Sequence, residues 1–485
     1  MPSKRTRQSS RVGLRKTPTG ISGLDNITEG GFPKGRTTLV AGGAGSGKTL
    51  MGLEFLIRGA EMYGETGVAM TFEESAEEIA SNLVSLGHDV NKLIRERKLL
   101  VDYVHVERRQ IEETGEYDLE GLFIRLDHAI KSINAKRVLL DTIEVLFSGL
   151  RNEAIVRSEL RRLFRWMKER EVTAVITAEA GDNTFLTRHG LEEYVADCVI
   201  VLDHRVSEQI STRRIRVVKY RGSTHGTNEY PFLLTENGIS VLPITALGLS
   251  HTASTERVPS GITGLDAMMG KKGFFRSSSI LVSGTAGTGK SSVAASFVNA
   301  ACARGERALY FAFEESESQI LRNMASLGMP LEKWIRQGLL QIRAIRPTAM
   351  GLENHLAIMC KAVEDCRPRI AVVDPITNLI SVGTALSVKS MLTRLIDLLK
   401  IHQVTAMFTN LSTAGEEITS TEISSLMDTW ISLKEIEADG ERQRIMYILK
   451  ARGMAHSNRI HRFTIGDRGI QVEGEIPVEK QARAK

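Results

Sequence analysis

Apolar runs rich in β-branched residues alternate along the chain with stretches of helical periodicity. Thr37–Ala41, Gly67–Phe72, Val138–Asp141, Val172–Thr177 and Val199–Asp203 predict strands. Between them, Leu119–Ile133 and Val156–Glu169 carry the spacing of amphipathic helices. Such alternation predicts an α/β fold, a mostly parallel sheet with helices on both faces. Arg213–Tyr220 and Glu229–Leu234 read as antiparallel strands on one edge of it.

The pattern then repeats. Pro18-Thr19-Gly20-Ile21-Ser22-Gly23-Leu24-Asp25 is echoed by Pro259-Ser260-Gly261-Ile262-Thr263-Gly264-Leu265-Asp266, and Phe72-Glu73-Glu74-Ser75 by Phe313-Glu314-Glu315-Ser316. Val138-Leu139-Leu140-Asp141 returns as Ala371-Val372-Val373-Asp374, and Lys219-Tyr220-Arg221-Gly222 as Lys450-Ala451-Arg452-Gly453. The order is kept and the unit is far longer than a solenoid module, so one domain has been duplicated in tandem. The expected layout is a basic flexible arm (1–16), a first domain (17–244), a linker (245–257), a second domain (258–470) and a short tail (471–485).

Composition narrows the class. With 485 residues the chain is too long for one core, and 42% hydrophobic with 25% charged residues is globular. No apolar run is long enough to span a bilayer, and the basic N-terminus lacks the apolar stretch of a secretory signal, which predicts a cytoplasmic protein. Cys198, Cys302, Cys360 and Cys366 form no close pair and read as buried thiols. A net charge of +5 permits a nucleic-acid partner without favouring one. Lys4, Arg5, Arg7, Arg11, Arg15 and Lys16 read as a solvated arm.

The chemistry sits where strands end. Gly42-Gly43-Ala44-Gly45-Ser46-Gly47-Lys48-Thr49 and Gly284-Thr285-Ala286-Gly287-Thr288-Gly289-Lys290-Ser291 both fit the phosphate-cradling pattern, each after a strand and before a helix. Glycines let successive backbone N–H groups converge on phosphate oxygens; Lys48 and Lys290 would reach the β- and γ-phosphates. Thr49 and Ser291 would hold Mg²⁺, with Asp141 and Asp374 as the carboxylates on the magnesium side. Glu73-Glu74 and Glu314-Glu315 end the next strand, where a carboxylate can orient water or accept a hydroxyl proton in line with the γ-phosphate. Only one of two adjacent side chains on an extended segment faces the nucleotide. Glu73 and Glu314 are the expected bases, Glu74 and Glu315 their supports. Nothing directs the two Lys-x-Arg-Gly motifs to their own nucleotide; presented at a subunit border, they could serve a neighbour as arginine fingers do.

With these motifs in order from about Pro18 to about Gly469, and with Phe408-Thr409-Asn410 at a strand end, the chain resembles the KaiC family of clock ATPases. The resemblance implies two RecA-like domains, a double-ring homohexamer and ATP between subunits. The first ring would be a slow ATPase and the second an autokinase and autophosphatase. Carried over by position, nucleotide contacts in the first half are Gly45, Ser46, Gly47, Lys48, Thr49, Leu50 and Ser85, with Lys219, Tyr220, Arg221, Ser223 and His225 from the neighbour and Thr235 and Glu236 near the base. In the second half they are Gly287, Thr288, Gly289, Lys290, Ser291 and Ser292, with Arg444, Lys450, Arg452 and His456 reaching across. Glu314 would join Ser291 and Asp374 at the second Mg²⁺.

The family's phosphoacceptor pair falls on Ser424-Ser425, inside Ile418-Thr419-Ser420-Thr421-Glu422-Ile423-Ser424-Ser425. Read without the resemblance, that cluster is a polar loop with capping hydroxyls. Departures from the family pattern are Leu327, Ala455 and Asn458, and Glu422, whose charge lies beside the acceptors. Little sequence follows Ile470, so the kinase is expected to depend less on KaiA or not at all, while a KaiB-like partner on the first ring stays open. Two other readings remain: a DNA-repair-type RecA-like ATPase, and a scaffold that uses ATP only to assemble.

Overall fold

The computed structural model describes residues 14–105, 119–147, 153–181, 186–187, 190, 195–207, 210–243, 253–412, 423–438 and 440–475. Near residue 246 the chain divides into two compact units.

In the first unit a two-stranded ribbon pairs β1 (Lys16–Thr17) with β2 (Phe32–Pro33). The main sheet contains β3 (Thr37–Gly42), β4 (Gly67–Thr71), β5 (Leu99–Tyr103), β6 (Arg137–Asp141), β7 (Thr173–Glu179), β8 (Cys198–Ser207), β9 (Ile210–Tyr220), β10 (Glu229–Thr235) and β11 (Gly238–Val241). Its order is β11-β10-β9-β8-β3-β7-β6-β4-β5. The pairings β8-β3-β7-β6-β4-β5 are parallel, and β9-β10-β11 close one edge as an antiparallel meander. The central strands are buried on both faces, hence the unbroken apolar run of Val138, Leu139 and Leu140. One apolar cluster lies under the helix Lys48–Met62 and another under Glu120–Ile133 and Glu153–Glu169.

The second unit repeats this topology. After the ribbon β12 (Arg257–Val258) and β13 (Phe274–Phe275) come β14 (Ser279–Gly284), β15 (Ala308–Ala312), β16 (Leu340–Ala344), β17 (Ile370–Asp374), β18 (Thr405–Leu411), β19 (Thr429–Ala438), β20 (Glu441–Ala451), β21 (His461–Gly466) and β22 (Gly469–Glu475). The order β16-β15-β17-β18-β14-β19-β20-β21-β22 matches the first sheet strand for strand.

Strand ends differ from the predicted ones by a few residues. β8 continues to Ser207 and β9 begins at Ile210, because the hairpin they form extends past the parallel part of the sheet. Lys16, expected in the solvated arm, is instead in β1, and its ammonium donates to the carbonyls of Thr28 and Glu29 at 2.6 and 2.9 Å. Lys4, Arg5, Arg7, Arg11 and the tail from 476 on lie outside the described residues. The cysteines are free; Cys198, Cys302 and Cys360 are buried, and burial pushes the Cys198 and Cys302 thiols up to about 12. Among the described residues no helix is long and apolar enough to cross a membrane.

Candidate functional site: two phosphate loops and the opposite ends of their sheets

Each loop is shaped by glycines that have no alternative. Gly47 and Gly289 cap the following helices at φ 100° and 98°, with no side-chain cap. The first-turn N–H groups therefore keep their donors for a ligand. At Gly42 a β-carbon would stand 2.5 Å from Ser46 Oγ and 2.6 Å from Leu202 O; at Gly284 it would stand 2.6 Å from Leu433 O and 2.7 Å from Thr288 Oγ1. Ser46 and Thr288 are fully buried beneath their loops. The ammonium of Lys48 donates to Gly42 O and Gly43 O at 2.8 and 3.0 Å, and that of Lys290 to Thr285 O at 2.7 Å. Both lysines thus lie within the loop they would share with a phosphate. Leu50 packs partly buried on the core, and Ser292 is buried behind Ser291.

The strand-end aspartates converge on these loops. Asp141 is buried and accepts hydrogen bonds from Thr177 and Thr49; burial raises its pKa, while those bonds and the Lys48 charge oppose the rise. Asp374 accepts from Thr409 and, at 2.5 Å, from the hydroxyl of Tyr310. Burial pushes the Lys290 ammonium down, opposed by the charges of Asp374 and Glu314. A hydroxyl beside one carboxylate is an all-oxygen donor set, which suits a magnesium ion that enters with phosphate oxygens. Among the described residues no group of three or more His, Cys, Asp or Glu is arranged to hold a metal, and such a magnesium needs none.

The glutamate pairs divide. Glu73 and Glu314 are exposed, and Thr142 Oγ1 donates to Glu73 Oε1 at 3.4 Å. Glu74 and Glu315 are half-buried, and both are pushed up first by burial, then by the neighbouring Asp141 and Asp374. Asn323 holds Glu315 at 3.1 Å. Ser75 and Ser316 cap the helices that follow, and each donates its backbone N–H in return to the side-chain oxygen of Glu78 or Gln319.

Thr235 ends β10 at the phosphate-loop end of the first sheet, and Glu236 O lies 3.2 Å from where a β-carbon of Gly87, two residues after Ser85, would be. Leu234, the residue before Thr235, lies 3.7 Å from where a β-carbon of Gly47 would be. The Lys-x-Arg-Gly motifs lie at the other end. Lys450 pairs in register with Trp430, and Trp430 with Leu281, while Gly284 pairs with Leu433. Arg452 N donates to Asp428 O, and Asp428 N to Ser279 O, both at 2.8 Å, which fixes the motif at the start of β14. The first unit repeats the arrangement: Arg221 N donates to Asp197 O at 2.8 Å, and Asp197 N to Thr37 O at 3.1 Å. At about 3.3 Å per residue the strand alone separates motif and loop by roughly 13 Å.

Other expected contacts are dispersed. Arg444 pairs in register with Glu435, past Gly284, and its guanidinium lies 3.4 Å from that carboxylate, so it is not grouped with Lys450 and Arg452. Tyr220 is buried with its hydroxyl on Gly31 O at 2.9 Å, so its ring is packing rather than display. Ser223 bonds Thr224 O and His225 bonds Gly226 O, within the turn after the motif. His456 lies 3.5 Å from Met454 O.

A family model described as "ATPase: KaiC" matches the sequence twice, over residues 17–246 and 258–476. The chain belongs to the KaiC family of ATPases. It is 55% identical over 471 residues to the circadian clock protein KaiC2 of Synechocystis, covering 96% of this chain and 83% of that one. The circadian clock oscillator proteins KaiC of Parathermosynechococcus lividus and Synechococcus elongatus are each 37% identical, over 95% and 96% of this chain and 86% and 90% of theirs.

In this KaiC-family chain the region of the expected acceptor serines is described from Ile423 on; Thr413–Glu422 lie outside the described residues. Ser424 is buried and Ser425 exposed. Lys450 Nζ donates to Ser424 O at 2.9 Å, and Arg452 Nη2 to Ser425 O at 2.8 Å. The sequence assigns no role to Thr177, Thr409 or Tyr310, whose hydroxyls orient the two aspartates. The polar Thr177 and Thr409 within otherwise apolar strands were the available signal.

Proposed function

We propose that the chain is an ATP-hydrolysing autokinase and autophosphatase that works as a double-ring homohexamer, with ATP and Mg²⁺ on each phosphate loop. Its phosphate loops and family membership support ATP binding and hydrolysis. The finer reading rests chiefly on one observation: in each unit the cation motif lies at the end of the sheet opposite its own loop. Such cations meet a triphosphate only when another copy presents it, as in a ring of heterologous contacts.

In the first unit, Lys48 and the loop N–H groups would hold the triphosphate while Glu73 takes a proton from the attacking water. Bound Mg²⁺, on Thr49 and Asp141, would neutralise charge developing on the phosphate oxygens. In the second unit Lys290, Ser291, Glu314 and Asp374 repeat the arrangement. There the neighbour's Ser424 or Ser425 Oγ forms a bond to the γ-phosphorus, the bond to the ADP oxygen breaks, and Glu314 receives the hydroxyl proton. Lys219 and Arg221, or Lys450 and Arg452, would complete each pocket from the adjacent copy. In this reading the first ring is also where a KaiB-like partner docks, and timing or stress signalling is the output.

The test is mass spectrometry of the full chain after incubation with γ-labelled ATP and Mg²⁺, with assembly size measured alongside. Label on Ser424 or Ser425 in a hexamer is expected. A chain that stays monomeric with Mg·ATP, or label elsewhere, would overturn the reading. DNA-stimulated turnover that falls steeply with salt would favour the repair-type ATPase instead.

A further inference from the structure

The helix that leaves the first phosphate loop carries a buried ionic cluster. Glu54 is 0% exposed; its Oε2 accepts the Ile239 N–H at 2.8 Å, and its Oε1 accepts from Arg58 Nη2 at 3.1 Å. Arg58 Nη2 also donates to Asn237 O at 2.9 Å. His88, 5% exposed, places Nε2 3.9 Å from Glu54 Oε1, with no hydrogen-bond partner of its own.

Glu54 and Arg58 fasten one segment to the loop helix, and His88 brings a second against Glu54 without a hydrogen bond. One is the Thr235–Gly238 turn between β10 and β11, where Gly238 takes φ 88° and a β-carbon would overlap the Glu54 carboxylate. The other is Ser85–His88, where a β-carbon on Gly87 would stand 3.2 Å from Glu236 O. Leu234 sets the start of the turn against Gly47, so the turn runs from the phosphate loop along the loop helix. On the nucleotide reading above, Ser85, Thr235 and Glu236 would form a polar rim beside a nucleotide whose phosphates sit on Gly45–Thr49.

The duplicated unit has the same fold without these charges. Ser296, Ala300 and Met329 occupy the three positions, and Ser296 Oγ donates to Ser292 O at 2.8 Å and lies 3.3 Å from Met329 Sδ. A buried carboxylate is costly to keep, and the fold stands without it in the second unit. In the first unit the carboxylate and Arg58 instead tie the turn that follows Leu234 and Thr235 to the loop helix.

We infer that Glu54, Arg58 and His88 are positioning residues that hold the nucleoside rim of the first pocket, giving it a tighter and more base-selective grip on a purine nucleoside triphosphate. The inference rests on the nucleotide reading above. Bound tightly, the rim keeps its donors and acceptors aligned with one base edge; loosened, it accommodates either purine.

The test uses the full chain carrying Lys290→Ala, so that the first loop dominates binding, and measures ATP and GTP affinity with Mg²⁺. Exchanging the cluster for the second unit's residues (Glu54→Ser, Arg58→Ala, His88→Met) should weaken ATP about tenfold, the scale of a lost buried charged hydrogen bond. The ATP-over-GTP preference should shrink, while kcat at saturation changes less than about twofold. Unchanged ATP affinity and preference would overturn the inference. So would a fall in melting temperature without nucleotide at an unaltered ATP-to-GTP ratio, the mark of a purely structural role. Should the triple variant not fold, Glu54→Gln keeps the volume and the bond from Ile239 but turns an amide toward Arg58; it should shift both readouts in the same direction, and no shift overturns the inference. A Lys290→Ala parent that binds no ATP refutes the nucleotide reading itself.

Discussion

The ammonium of Lys450 holds the backbone carbonyl of Ser424 at 2.9 Å, at the end of the sheet away from Lys290. The proposed acceptor serine and the cation expected to meet a γ-phosphate thus travel together, remote from their own loop. Phosphoryl transfer should then occur between copies. Mixing a chain with Lys290→Ala and intact serines with a chain carrying Ser424→Ala and Ser425→Ala tests this. Label from γ-phosphate should appear on the loop-deficient chain, and its absence there would place transfer within one copy.

In the proposed mechanism Glu73 and Glu314 are the bases of the same reaction type, phosphoryl transfer, in different units. Glu73→Gln should reduce first-unit turnover by about 10²–10⁴-fold, the usual worth of a positioned base. Steady-state phosphate release in a Glu314→Gln background reads this out. Unchanged release would transfer the role to Glu74, whose carboxyl is raised by burial beside Asp141.

Arg137 is fully buried. It donates to Glu65 at 2.7 Å, Phe55 O at 2.8 Å and Pro18 O at 2.9 Å, and stacks on the Phe55 ring at 4.4 Å. Arg137→Ile should cost about 3–5 kcal/mol, because a carboxylate and two carbonyls lose their partner. Urea unfolding of the first unit is the measurement.

His88 contributes a pH dependence of known sign. Burial pushes its pKa below the ordinary 6.5, and the Arg58 charge adds to this, while Glu61 opposes it; Glu54 faces it from the loop helix. The folded state therefore binds fewer protons than the unfolded chain just below pH 6.5, and stability falls as pH drops through that window, by up to about 1.4 kcal/mol per unit. Glu54 is raised by burial and works in the opposite sense, its contribution fading as pH rises above the ordinary carboxylate range. His88→Met should flatten the fall below pH 6.5 in thermal unfolding.

Gly42→Ala should cost about 1–3 kcal/mol by overpacking against Ser46 and Leu202 and should weaken nucleotide binding at the first loop. Melting temperature together with ATP binding checks both parts.

Much of this was legible in the residues. Gly47, Lys48 and Asp141 declare themselves because loop and strand end are set by local chemistry. The parallel core follows from runs such as Val138–Leu140, since burial on both faces leaves no polar position. The partners of Asp141 and Asp374 were not legible: Thr177, Thr409 and Tyr310 lie on other strands and meet the carboxylates only once register is fixed. For the same reason the sequence could not say at which end of the sheet Lys450 lies. Glu54 reads as an ordinary helix former within Met51–Leu56; its burial depends on a turn from a distant hairpin.

Two units of common descent on one polypeptide invite their strands to enter the wrong sheet while the chain folds. Arg137 opens β6 where Ile370 opens β17. A β6 that strayed into the other sheet would bring a guanidinium far from Glu65, Phe55 and Pro18 and strand it in hydrocarbon. A buried arginine at that position would therefore penalise such an exchange.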